Sequence, residues 1–210
     1  MGFLTSAKAI VAAAVLSVAG TTVASAVTVS FNTYVTGADL GNVELATLEA
    51  TQNGANVDFK LSATFLAQPT SYIDYLRLSY TGNPLPTSAT NTGGVAFASF
   101  AKGSFTDASY SFNIDFDYPN SNSGGGVLRL NPGEFSSFRI ANADLSRFDF
   151  SPYESLIHVN GLGGGGSTKY TTSTPPQSTA PVPLPATALL LLGGMGSLGG
   201  LGLVRRKRTA

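Results

Sequence analysis

Cysteine and tryptophan are absent from this 210-residue chain, histidine occurs once, and charged residues make up only 11%. Without cysteine there is no disulfide staple, no zinc–thiolate site and no thiol nucleophile. The lone histidine, His158, excludes within one chain a metal site built on two histidines or completed by cysteine. Few charges together with 24 glycines favour short strands and turns over helices held by Glu and Lys. The formal net charge is zero, but setting aside Lys8 near the start and Arg205, Arg206, Lys207 and Arg208 near the end leaves seven basic against twelve acidic residues, about −5. A middle of that charge offers no basic groove, which excludes nucleic acid as a partner.

What is present is concentrated at the two ends. Lys8 precedes the apolar run "AIVAAAVLSVAG" from Ala9 to Gly20, and Ala24-Ser25-Ala26 supplies small residues for a signal peptidase. Residues 1–26 are therefore read as a signal peptide handled by the Sec machinery and cut after Ala26. An uncleaved anchor is the other reading, and the run is short of the ~20 residues that span a bilayer.

At the other end, Thr187 to Val204 is uncharged and as a helix would be about 27 Å long, just enough for a hydrocarbon core of ~30 Å. The basic residues Arg205, Arg206, Lys207 and Arg208 that follow would stay cytoplasmic, placing the middle of the chain across the membrane. Before this segment stands Val182-Pro183-Leu184-Pro185-Ala186, whose prolines favour an extended backbone that a protease can take as a strand. "STKYTTSTPPQSTAP", residues 167–181, reads as a Ser/Thr/Pro linker that holds the pentapeptide clear of a folded domain.

Pentapeptide, glycine-bearing apolar segment and terminal basic cluster together resemble the PEP-CTERM sorting signal of Gram-negative bacteria in its VPLPA variant, over residues 182–208. The parent pattern has Glu where this chain has Leu184. The resemblance implies an exported protein that is first an inner-membrane precursor. An exosortase-type membrane transpeptidase would then cut at Val182, Pro183, Leu184, Pro185 and Ala186, leaving the domain in the cell envelope, on the cell surface or in the extracellular matrix. A plain single-span anchor shares every physical feature except the pentapeptide. "TLEATQNGANVDFKLSATF", "NPGEFSSFRI" and "IHVNGLGGGGS" look like stretches found in domains attached to such signals. They imply association with exopolysaccharide and transfer no catalytic residue.

Residues 27–166 carry the strand patterns of one domain. "VDFKLSATF" alternates, with Val57, Phe59, Leu61, Ala63 and Phe65 on one face. "VELATLEAT" precedes it, and "QNGAN" puts Asn53-Gly54 at a tight hairpin. "YSFNIDFDY" points Tyr110, Phe112, Ile114, Phe116 and Tyr118 inward and is the candidate central strand. "YIDYLRLSY", "GGVAFASF", "GGVLRL", "FSSFRIA" and "SLIHVNG" read as further strands. Seven or eight short strands without helical periodicity predict an all-β antiparallel β-sandwich of two packed sheets, jelly-roll-like, flanked by the signal peptide and a C-terminal transmembrane helix.

Candidate chemistry in this domain is sparse. His158 is either an acid–base residue beside the glycine run "GLGGGGS" or a hydrogen-bonded strand residue, and no triad spacing accompanies it. The glycine run lacks the Lys-Ser/Thr ending of a phosphate loop and reads as a loose turn into the linker. Asp115 and Asp117 share a face with Asn113, near the oxygens of Asn120–Asn122, so they could ligate calcium, or simply line a solvated strand face. As glycosidase carboxylates they lack an identifiable cleft. Tyr72, Tyr75, Tyr80, Tyr153 and Tyr170 could stack on sugars or serve as core and sheet edge. Three functions follow: a non-enzymatic structural component of the surface or matrix, a carbohydrate-binding module for the exopolysaccharide, or an enzyme without a recognisable signature. The first is the expectation, with no cofactor unless calcium.

Overall fold

In the computed structural model the described residues are 25–64, 70–121, 126–173 and 177–179. Among them there is no α-helix. The strands are β1 (Ala26–Gly37), β2 (Ala46–Asn53), β3 (Asn56–Ala63), β4 (Tyr72–Tyr80), β5 (Ala89–Gly94), β6 (Ser99–Asp107), β7 (Tyr110–Asp117), β8 (Phe135–Ile140), β9 (Phe148–Asp149), β10 (Ser155–Leu162), β11 (Gly166–Thr172) and β12 (Gln177–Thr179). Every pairing is antiparallel, in the order β5-β8-β3-β2-β1-β11-β10-β4-β7-β6, with β12 against β1 and β9 against β4.

Alternation builds these strands as anticipated. In β3, Val57, Phe59, Leu61 and Ala63 are buried while Lys60 is exposed, and β2 buries Ala46, Leu48 and Ala50 beside them. The two strands join through Gly54-Ala55, with Gly54 at φ +59° as a tight hairpin requires. In β7, Ile114 and Phe116 are fully buried. That strand lies next to the end of the sheet rather than at its centre, so the expected central position is corrected.

The two packed sheets of the sequence reading are one sheet here. β1 pairs with β2 on one side and with β11 on the other, so hydrogen bonds run unbroken between the two halves. The sheet curls until strands near its opposite ends face each other: Phe116 of β7 and Phe138 of β8 lie 4.4 Å apart between ring centroids. Phe97 wedges beside both, at 5.2 and 6.0 Å. The aromatic contacts continue through Phe59 to Phe148 and Tyr80.

Three further expectations change. "GGVAFASF" is split, because Gly94 (φ +67°) turns the chain against β8 and a Cβ there would sit 2.1 Å from the Phe135 carbonyl oxygen. Phe97 then enters the core from a loop instead of a strand. Over its described residues 126–130, "GGVLRL" is a turn that leaves Val127 and Leu128 exposed, with Leu130 bridging to Ile73. The domain does not end at 166: β11 lies between β1 and β10, with Thr168, Tyr170, Thr171 and Thr172 buried. Their hydroxyls are satisfied, Thr171 Oγ1 donating to Ser155 O at 2.7 Å, Thr172 Oγ1 to Phe150 O at 2.9 Å and Tyr170 OH to Gly41 O at 2.9 Å. Threonines that read as linker are therefore β-branched residues of an interior strand.

No helix among the described residues is long and apolar enough to cross a membrane. The signal peptide up to Ala24 and the segment 182–208, with its apolar stretch, lie outside the described residues.

The closure of the sheet is open to measurement. Phe116→Ala and Phe138→Ala should each cost about 3–5 kcal/mol. In urea titrations the double variant should cost less than the two combined, by about 0.5–1.5 kcal/mol of ring–ring coupling. Strict additivity would mean that the ends of the sheet do not meet.

Candidate functional site

Side chains opposite the core form a connected polar cluster. On β4 the core takes Leu76 and Leu78, so Tyr75 and Arg77 point the other way. Register sets His158 of β10 and Asp117 of β7 beside Tyr75, Asp115 of β7 beside Arg77, and Lys169 of β11 beside His158. Over this row comes the tip of the β6–β7 hairpin, a two-residue turn at Ala108 and Ser109 (φ +46° and +74°). It brings Asp107 between the cations.

Asp107 is 8% exposed and accepts from three donors: the Tyr75 hydroxyl, Arg77 Nη1 at 2.8 Å and Lys169 Nζ. Burial pushes its carboxyl up, but the bonds from Lys169 and Tyr75 and the charges of Lys169 and Arg77 outweigh that and hold it below the usual carboxylate range. Asp115, 7% exposed, accepts from Arg77 Nε at 3.0 Å, and its burial wins over that partner, leaving its carboxyl above the usual range. Burial and the bond to Asp107 push the Tyr75 phenol well up. The Arg77 guanidinium sits 4.4 Å from the Tyr75 ring centroid. Two cations and two carboxylates thus neutralise one another, an arrangement that locks a hairpin in place.

This places the acidic pair. Asp115 is not on a solvated face, and it is already engaged by a guanidinium, which a calcium ion would have to displace. Asn113 is also committed, its Oδ1 accepting from Tyr80 N at 2.8 Å and its Nδ2 donating to Tyr80 O at 2.7 Å, so it stands in for the ladder where β7 leaves β4. Asp117 is exposed and accepts from Ser99 Oγ at 2.8 Å. The Asn120 carbonyl accepts from Arg129 Nη2 at 2.6 Å, and Asn122 lies outside the described residues.

His158 places Nδ1 3.1 Å from Asp74 Oδ2, and Asn160 Nδ2 donates to the same oxygen at 3.0 Å. Its ring lies 4.7 Å from that of Tyr75. Of the tyrosines considered for sugar stacking, Tyr80 and Tyr170 are buried, Tyr75 belongs to the charge cluster, and Tyr153 is exposed and stacked on Tyr110 at 4.5 Å. Tyr72 lies under the Arg129 guanidinium, 4.0 Å away.

Sequence reading missed Arg77, Asp107 and Lys169 as partners, because they come together only through strand register. It also missed the surroundings of the glycine run. That run is the β10–β11 turn and lines a cavity of about 680 Å³ with Thr70, Tyr72, Arg129, Asn131 and Asn160. Of the terminal motifs, Ala26 opens β1 and pairs with Thr51 and Thr179. Ala24, Val182, Pro183, Leu184, Pro185, Ala186, Arg205, Arg206, Lys207 and Arg208 are outside the described residues. No protein-family model, no curated protein and no solved structure matches this chain.

The shifted carboxyls predict how stability follows pH. Asp107, held below its unfolded value, contributes stability that is present above about pH 4 and lost as pH falls through its lower folded value. Asp107→Asn should cost about 3 kcal/mol at neutral pH, and its deficit should shrink in urea titrations carried down toward pH 3. Asp115 runs the other way, since its raised folded value costs the wild type stability as pH climbs through it; Asp115→Asn should gain on the wild type over that rise. A deficit for Asp107→Asn that is independent of pH would show that its carboxylate is not ionised in the cluster. Melting in millimolar calcium and in chelator should give coincident curves while Arg77 occupies Asp115.

Proposed function

We propose that this is an exported protein of the cell surface or extracellular matrix. Its C-terminal VPLPA signal is cut by an exosortase-type membrane transpeptidase, and its β-domain is a non-enzymatic structural component associated with exopolysaccharide. The finer architecture belongs to the same proposal: a jelly-roll-like sandwich whose two walls are one curled sheet, flanked in the precursor by a signal peptide and a transmembrane helix.

The observation that carries this reading is the pairing of β12 with β1, which sets Thr179 beside Ala26 and Ser178 beside Val27. The start of β1 and the end of β12 therefore lie side by side. That geometry suits a precursor held at its N-terminus by a leader and at its C-terminus by a helix in the same membrane. Ala26, at the signal-peptidase site, opens β1, and β12 ends at Thr179, three positions before Val182. The neutral, internally satisfied ion cluster supports a scaffold more than a reaction centre, because each of its carboxylates is held by a fixed cation. A carbohydrate-binding role is the second reading, favoured by the polar cavity at the glycine turn.

Mass spectrometry of the mature protein should find Val27 at the N-terminus and nothing beyond the VPLPA region. Pro183→Ala/Pro185→Ala should leave the full-length precursor in the inner membrane, since the extended geometry at the cut is lost. An intact Arg205–Arg208 tail on most of the cellular pool would instead make this an ordinary anchored protein.

A further inference from the structure

The cavity at the β10–β11 turn is walled unlike the rest of the molecule. Arg129 is the one charged side chain among its described lining residues, in a domain whose acidic groups outnumber its basic ones. All twelve acidic residues of the chain lie among the described residues, and none forms an ion pair with Arg129. Its guanidinium lies over the Tyr72 ring, 4.0 Å from the centroid, while Nε and Nη2 donate to Asn120 O at 3.1 and 2.6 Å. Among the described residues nothing is bonded to Nη1. A guanidinium held over a ring and by a backbone carbonyl is pre-oriented to take a carboxylate through its remaining N–H groups.

The rest of the lining suits a ligand rich in hydroxyls. Gly163, Gly164 and Gly165 expose bare backbone, so a broad ligand can approach it without meeting side chains. Gly161, at φ +74°, has the Thr70 carbonyl where a Cβ would be, at 2.3 Å, which pins the turn against the start of β4. Asn160 gives its Nδ2 to Asp74 and keeps Oδ1 to accept from a hydroxyl. Thr70 Oγ1 donates to Gly161 O at 2.7 Å and keeps its lone pairs. A volume of about 680 Å³ lies within the usual range of ligand sites, roughly 300–1,000 Å³, but the lining is polar where drug-like sites are apolar.

We propose that this cavity binds an acidic saccharide, a uronate-bearing segment of polysaccharide, with the sugar carboxylate on Arg129 and the ring over the glycine turn. The source of that saccharide in a surrounding matrix rests on the export reading above; the binding chemistry rests on the cavity alone.

The test is calorimetric titration of the full-length chain in detergent with a trimer of galacturonic acid, alongside maltotriose and sodium acetate at matched ionic strength. Saturable binding of the uronate trimer is expected, weakening as salt rises, with neither control binding comparably. Arg129→Met should weaken it about tenfold or more, and Arg129→Lys should recover part of that, since a point charge lacks the fork. Because Arg129 also holds Asn120, Thr70→Glu is the second variant: this exposed residue at the rim would set a carboxylate against the ligand's and weaken binding, with Thr70→Val, which loses the same bond to Gly161 O without adding charge, as the control that keeps more of the binding. The inference is overturned if the trimer does not saturate, if maltotriose or acetate binds as tightly, or if both variants bind like the wild type. The export reading is scored separately by the termini of the mature protein, so either can fail without the other.

Discussion

Contact between Phe116 and Phe138 is the constraint on which the rest of the structure depends. In the order of the sheet, six strands separate β7 from β8, yet their rings meet at 4.4 Å. A single antiparallel sheet with one apolar face has nowhere to bury that face except against itself, so its twist has to accumulate into a curl. The aromatic residues make that economical, because each large ring covers both walls at once. Phe97, supplied by a loop, fills the space where the two ends approach.

Curling has a consequence on the opposite face. The outer side of β4, β10 and β11 carries Arg77, His158 and Lys169, and the β6–β7 hairpin folds across it. Two features allow this. Asn113 replaces the β7–β4 ladder with its own carboxamide where the strands part, and Asp107 ends β6 at the turn, where it meets both cations. Phe112 and Leu156 are buried apart from the main core, which gives the hairpin an apolar footing besides its charges. Ion pairs with buried carboxylates and partly exposed cations add little net stability but penalise any other placement of the hairpin, since a shifted register would strand a buried charge.

The same strand order connects the fold to its proposed role. Because β11 and β12 both run along β1, the last strands of the domain return the chain to its beginning. The glycine turn that starts β11 is thereby held against Thr70 and opens beside Arg129, while the end of β12 delivers the chain toward the pentapeptide. One return path thus serves a candidate saccharide site at one end of β11 and the two domain ends at the start of β1.

By itself the sequence determined the class of the domain and the local structure of its clearest strands. Alternation at Val57, Phe59, Leu61 and Ala63 of "VDFKLSATF", whose Phe65 lies outside the described residues, and at Ile114 and Phe116 of "YSFNIDFDY" marks buried positions because a strand's two faces differ whatever lies next to it. Glycine at 54 marks the hairpin because the conformation it permits is local. Tertiary structure alone decided what depends on a neighbour. "STKYTT" has the composition of a linker, and it became an interior strand because β1 and β10 offer it a ladder and partners for its threonine hydroxyls. "GGVAFASF" has the composition of a strand and was broken by the approach of β8. Asp115 looked like a residue that could sit on a solvated face until strand pairing buried it beside Arg77. Composition reports what one residue prefers, whereas burial, pairing and charge neutralisation are properties of two residues distant in the chain, and only the fold brings those two together.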